Sequence, residues 1–307
     1  MVSNLNPEST LFIADVNRIQ TRIAEANSQV SSGKRINVPS DAPDQISNLL
    51  QLRADRQQNT QVLSNLALAT TDANAADDAL SSAIQLMDTA LSLAAQGASD
   101  TVSASSRQSI AEQVQAILQQ MVAYSQTTVQ GRYIFSGDQD GSPAYSYDPN
   151  SPNSVVQLSN SPSTRQIEDP AGGAFAASKT ASEIFDDTDP TTGAPATDNV
   201  FAALNTLEQA LMANDTPGIT NSTTLLKAAS GHLNTMQAFY GNVQDRIQNA
   251  NTFATQYDTE LQTEISQVED ADITSAALEL SEGNTQLQAA YQMRAQMPKT
   301  SLFSFLG

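Results

Sequence analysis

The sequence predicts a mainly α-helical protein: an elongated rod of long antiparallel helices formed by the N- and C-terminal halves, with a small β-rich domain inserted between them. Three observations predict it. Apolar residues recur at helical spacing over long stretches near both ends of the 307-residue chain. No glycine or proline interrupts residues 44–96. Residues 131 to about 198 lose the helical period and gather Gly/Pro clusters with short β-favouring runs such as "RYIF" and "SVVQL". A helix of about 50 residues is roughly 75 Å long, while a compact chain of this size has a radius of gyration of only about 19 Å. Two such helices cannot curl into a ball.

The first helical stripe comprises Phe12, Val16, Ile19, Ile23, Ala26 and Val30, at alternating spacings of four and three. It stops at "SSGKRINVPSDAP", where Gly33 suits a C-cap and Ser40 or Asp41 is expected to cap the next helix. The second stripe runs through Leu49, Leu52, Leu63, Leu66, Ala73, Leu80, Ile84, Met87, Leu91 and Ala94, with Arg56, Asn59, Thr70 and Asp77 in polar gaps of the same register. A third, Ile110 to Tyr124, is expected to run out near Gly131. Helical pattern returns at "VFAALNTLEQALMAND" and continues from about 219 to 269, where Gly231 and Gly241 weaken it without breaking it. A last helix over about 271–296 presents Ala277, Leu280, Leu287 and Tyr291 before Pro298. Four large apolar side chains then close the chain: Leu302, Phe303, Phe305 and Leu306.

Composition narrows the function. The nine Phe, seven Tyr and absent Trp favour thin helix–helix seams over one thick core. A net charge of −19 without a basic stripe argues against nucleic acid and against anionic membranes. The chain has no cysteine, so disulfides and thiolate chemistry are excluded. Residues 1–30 show neither a basic start nor an apolar run of signal-peptide length. No catalytic constellation, phosphate cradle or nucleophile elbow is present, and no metal or cofactor is expected. The one histidine, His232, reads as an ordinary helix residue. Glu269, Asp270 and Asp272 read as solvated acids that help start the following helix, and "FDDTDP" reads as a solvated loop.

Several motifs resemble a known family. "QVSSGKRINVPSDAP", "FYGNVQDRIQ" and "ISQVEDADITSAALELSEGNTQLQAAYQ", together with the closing "SLFSFL", are similar to the conserved ends of bacterial flagellins and their relatives. Ser32, Gly33, Lys34, Arg35, Ile36 and Asn37, with Gly131, Arg132, Tyr133, Ile134, Phe135 and Gly137 of "GRYIFSGD", resemble more specifically the hook-associated, hook–filament junction branch of that superfamily. The resemblance covers about 10–135 and 200–307.

The resemblance implies a structural, non-enzymatic subunit of the extracellular flagellum, at the junction of hook and filament, exported without a cleaved signal peptide. Its partners would be copies of itself, the hook-side junction protein and flagellin, with an export chaperone beforehand. The implied organisation is a polymerisation helix and turn (1–40), two halves of a helical rod (41–135 and 199–270), an inserted domain (136–198), and a polymerisation helix with hydrophobic tail (271–307). Phe12, Val16, Ile19, Ile23, Val30, Leu280, Leu287, Tyr291, Leu302, Phe303, Phe305 and Leu306 are the expected polymer contacts. Flagellin itself shares the helices and the ends; a non-flagellar coiled-coil rod shares only the stripes.

Overall fold

The computed structural model describes residues 7–151, 153–159, 161, 165–168 and 173–296. The tail residues Leu302, Phe303, Phe305 and Leu306, and Pro298 before them, lie outside the described residues. Helices dominate: α1 (Pro7–Ser32), α2 (Ile46–Gly97), α3 (Ala104–Ser125), α4 (Ala181–Phe185), α5 (Val200–Met212), α6 (Thr216–Glu269) and α7 (Ile273–Gln296). Six short strands, β1–β6, lie between α3 and α4. The mainly helical fold class, built from both halves of the chain with an inserted β segment, is therefore the one observed. No helix among the described residues is long and apolar enough to cross a membrane.

The glycine-free stretch becomes one helix of 52 residues, and α6 reaches 54 residues through both Gly231 and Gly241. Pro217 falls in the first turn of α6, where its missing N–H costs no intrahelical bond. The two long helices pair antiparallel through the polar gaps of their stripes. Arg56 Nε lies 3.2 Å from Asp258, and buried Asn59 donates its side-chain N–H to the Ala254 carbonyl at 2.8 Å.

The chain divides into two compact units, residues 59–256 and residues 1–58 with 257–307. The 59–256 unit has a continuous apolar core of α2, α3, α5 and α6 side chains, among them Leu66, Leu80, Met87, Leu118, Met121, Leu204 and Leu233. Ser103 caps α3 by accepting the Ser106 N–H. Arg107, also buried, binds the Gly97 and Ser99 carbonyls at 2.8 and 2.9 Å and the Asn214 side chain at 2.5 Å, tying the α2–α3 turn to the α5–α6 turn. Helix α3 ends at Ser125, six residues before Gly131, because the chain turns there into a hairpin.

That hairpin pairs β1 (Thr128–Val129) with β2 (Arg132–Tyr133). Its two-residue turn, Gln130 and Gly131, has φ of 53° and 77°, the pair of positive values a type I′ turn requires. The other strands form two further hairpins, β3 (Tyr145–Tyr147) with β4 (Val155–Gln157) and β5 (Gln166–Glu168) with β6 (Ala174–Ala176). Isolated hairpins of this length are marginal in water. They are held by aromatic rings sunk into the helical core: Phe135 stands edge-on to Phe185 and Tyr240, at 5.9 and 6.3 Å, and Tyr145 tilts over Phe201 at 5.3 Å.

The second unit contains α1, α7 and the adjoining ends of α2 and α6. Here α1 and α7 pair antiparallel along the first stripe. Arg22 Nε meets Glu279 at 2.9 Å, and the Arg294 guanidinium covers the Phe12 ring at 5.6 Å. Gly283 is buried against Ile23, where a Cβ would come within 2.7 Å of Ile23 Cγ1. The helices can approach this closely only because glycine has no side chain.

Candidate assembly interface

The turn between α1 and α2 is built from the family-like motif. Gly33, with φ of 72°, donates its N–H to the Gln29 carbonyl and ends α1 as a left-handed C-cap. Ser32 Oγ accepts the Lys34 N–H. Arg35 donates its backbone N–H to the Glu269 carbonyl at 2.7 Å, and its guanidinium reaches the Val268 carbonyl and the Gln45 side chain. Ile36 buries itself with Ala42 and Leu49 beneath Ile46, Ile265 and Val268. Asn37 donates its side-chain N–H to the Lys34 carbonyl. Asp41 does not cap α2 as expected. Its carboxylate turns back and accepts the Asn37 and Val38 N–H groups at 2.8 and 2.9 Å, closing the loop on itself.

The reading of Glu269 as a solvated acid is corrected by the structure. Its residue is only 4% exposed, and its carboxylate pairs with both Lys34 and Arg53, the latter at 2.7 Å. Burial pushes this carboxyl up, but the two cations outweigh burial and hold it below the usual carboxylate range. Asp272 does behave as expected: exposed, it accepts the Ser275 and Thr274 N–H groups at the start of α7, which lower its pKa. Sequence could not distinguish these neighbouring acids, because the cations on Glu269 lie more than 200 positions away along the chain.

Within one chain the expected polymer contacts mostly line the α1–α7 seam. Val16 is buried; Phe12, Ile19, Ile23, Val30, Leu280 and Leu287 are half-buried; Tyr291 is exposed. Of the expected contacts only Tyr291 joins the large apolar side chains left in solvent among the described residues. Leu11 (67% exposed) and Ile13 flank Phe12 on α1, and Tyr291 and Met293 (63% exposed) lie beside Arg294 on α7. Because Arg294 covers Phe12, these four share one end of the helix pair. The N-terminal stripe therefore has a partner in its own chain, and these four apolar side chains remain uncovered beside that seam.

The second motif, "GRYIFSGD", sits in the other unit. Gly131 supplies the hairpin turn, and Tyr133 donates its N–H to Asp140. Arg132 and Arg165 converge on Asp72 of α2 and on Asp140, the Arg165 contacts being 2.7 and 2.8 Å. Ile134 and Phe135 are buried, Phe135 accepts the Ala181 N–H at 2.7 Å, and Gly137 takes φ of 59°. The motif fastens the inserted hairpins to the helices and exposes little apolar surface.

Two family models match the chain: the bacterial flagellin N-terminal helical region over residues 4–140, and the bacterial flagellin C-terminal helical region over residues 223–306. Solved structures are similar in fold. A flagellar hook-associated protein from Vibrio parahaemolyticus aligns with a TM-score of 0.63 and 16% identity, over 75% of this chain and 100% of that one. FlgL from Xanthomonas campestris aligns with a TM-score of 0.58 and 17% identity, over 71% and 99%. The flagellar junction protein FlgL from Legionella pneumophila gives 0.53 and 14%, over 65% and 99%. No curated protein sequence matches significantly. With both of its helical ends matched by flagellin models, the chain belongs to the bacterial flagellin superfamily.

Proposed function

We propose that this protein forms the junction layer between the hook and the filament of a bacterial flagellum. Its copies assemble helically, with the hook-side junction protein on one face and flagellin on the other. Such contacts are head-to-tail, so subunits continue a helix instead of closing as a twofold dimer. The chain reaches this extracellular site by flagellar export, escorted in the cytoplasm by a chaperone.

The observation that carries the reading is the α1–α7 pair. Both ends of the chain meet in one antiparallel seam, yet Leu11, Ile13, Tyr291 and Met293 stay in water beside it. Fully burying such a side chain is worth about 1.5–3 kcal/mol, a gain that a neighbouring subunit can supply. Leu302, Phe303, Phe305 and Leu306 are further polymer contacts in this reading. The junction role in particular is supported by the resemblance of "GRYIFSGD" and by likeness to proteins whose own names place them at the junction.

Electron microscopy of a deletion strain tests the role. Hooks without filaments, and flagellin shed into the medium, are expected. Bare hook loss or normal filaments would contradict it, and thousands of copies per flagellum would identify a filament subunit instead. Hydrogen exchange on the isolated chain tests the assembly step: 10–30 and 280–296 should exchange far faster than α3 and α5.

A further inference from the structure

The only histidine of the chain lies on α6 in the 59–256 unit, beside the loop that joins α4 to α5. His232 Nε2 is 2.8 Å from the Glu183 carbonyl oxygen. A carbonyl can only accept, so Nε2 carries the proton. In the neutral ring Nδ1 is then a lone pair, and it faces the Asp198 carboxylate at 3.5 Å. A lone pair opposed to a carboxylate calls for a cation between them. Asp187 supplies a second carboxylate, and one ligand atom from each of Asp187, Asp198 and His232 lies within 4.8 Å of the other two. All three residues are half-buried, and among the described residues no Lys or Arg pairs with either carboxylate.

The backbone holds these groups in place. Asn199 donates its side-chain N–H to the Asp186 carboxylate at 2.8 Å and to the Asp187 carbonyl at 2.9 Å. Ala196 donates to the same Asp187 carbonyl, and Asp189 donates to Ala194, so the loop closes and brings positions 187 and 198 together. A metal-ligating histidine whose other ring nitrogen donates to a carbonyl is the arrangement that fixes tautomer and ring orientation. The observed 3.5 Å between Nδ1 and Asp198 Oδ2 is close to the ligand–ligand edge of a tetrahedral site with metal bonds of about 2.0–2.1 Å.

We infer that Asp187, Asp198 and His232 form a binding site for a divalent transition-metal cation of the zinc type, which pins the α4–α5 loop to α6. One imidazole and two carboxylates favour zinc, copper or nickel over magnesium, which prefers an all-oxygen octahedron. The inference is independent of the junction role, since it concerns only the 59–256 unit.

Because there is one histidine, its imidazole C–H resonances report the site directly. Titrating chelator-treated full-length protein with zinc chloride at neutral pH should move that single set of resonances and saturate at one equivalent. Asp187→Asn and Asp198→Asn should each weaken binding at least tenfold with unchanged far-UV circular dichroism, and excess magnesium should not compete. Two results would overturn the assignment: resonances that answer to pH but not to zinc, meaning a proton is the cation here, or aspartate variants that bind zinc as tightly as the wild type.

Discussion

The two units spend the same helical vocabulary differently. Residues 59–256 bury large side chains completely, Phe135, Phe185, Phe201, Leu80 and Met121 among them. The unit made of the chain ends buries no aromatic ring among the described residues, only Val16, Ile36, Leu49, Leu52 and Leu261 beside small residues such as Ala26, Ala42, Ala276 and Gly283, and leaves Leu11, Ile13, Leu278, Tyr291 and Met293 exposed. In place of an aromatic core it is fastened by a turn, by a glycine contact and by the Lys34–Glu269–Arg53 cluster. One unit is complete as a folded core. The other has a seam and a lock, with apolar side chains left exposed beside them.

The largest effect should come from the complete core. Phe135→Ala should cost about 3–5 kcal/mol, the range for truncating a fully buried phenylalanine. Urea denaturation followed by circular dichroism would show it, and a shift under 1 kcal/mol would contradict the role of Phe135 as the anchor of the hairpins. Next is Gly283→Val, whose side chain must displace Ile23; overpacking of this kind costs about 1–3 kcal/mol. Hydrogen exchange should rise in α1 and α7 alone, and an equal rise in α3 would mean that the two units are not energetically separable.

Glu269→Gln should cost less, about 1–2 kcal/mol, because hydrogen bonds to charged groups are lost but Lys34 and Arg53 are half-exposed and can be hydrated. The folded-state pKa of Glu269 is lowered, so its contribution is complete above the ordinary carboxylate value of about 4.3 and fades as pH falls below it. Measured stabilities of wild type and Glu269→Gln should converge on acidification; a gap that widens would reverse the sign. The smallest effect on the single chain is expected from Leu11→Ser with Met293→Ser, within about 0.5 kcal/mol each, as for exposed positions. Yet those changes should abolish incorporation into flagella, scored by motility and microscopy.

Much of this architecture can be read along the chain. The helices follow from apolar spacing and from the absence of breakers over 44–96, and Gly33 ends α1 where a left-handed residue is needed. The hairpin at Gln130–Gly131 was legible as a helix breaker but not as a turn type, so α3 was expected to run too far. The Asp41 loop failed for a related reason. A carboxylate near a helix start can cap forward or backward, and only backbone direction decides. Glu269 was misjudged because its partners, Lys34 and Arg53, are distant in sequence, and the contacts of His232 with Glu183 and Asp198 are not legible along the chain for the same reason.

By itself the sequence determined the helical class, the positions of the breaks, the β character of the insertion and membership of the flagellin superfamily, since each depends on local spacing or on a contiguous motif. Tertiary structure alone decided which acids are locked and which are solvated, which stripe residues face their own chain, and which apolar side chains are left over. Those outcomes depend on what stands opposite each residue across a helix seam, and helical periodicity fixes a face without saying what will cover it.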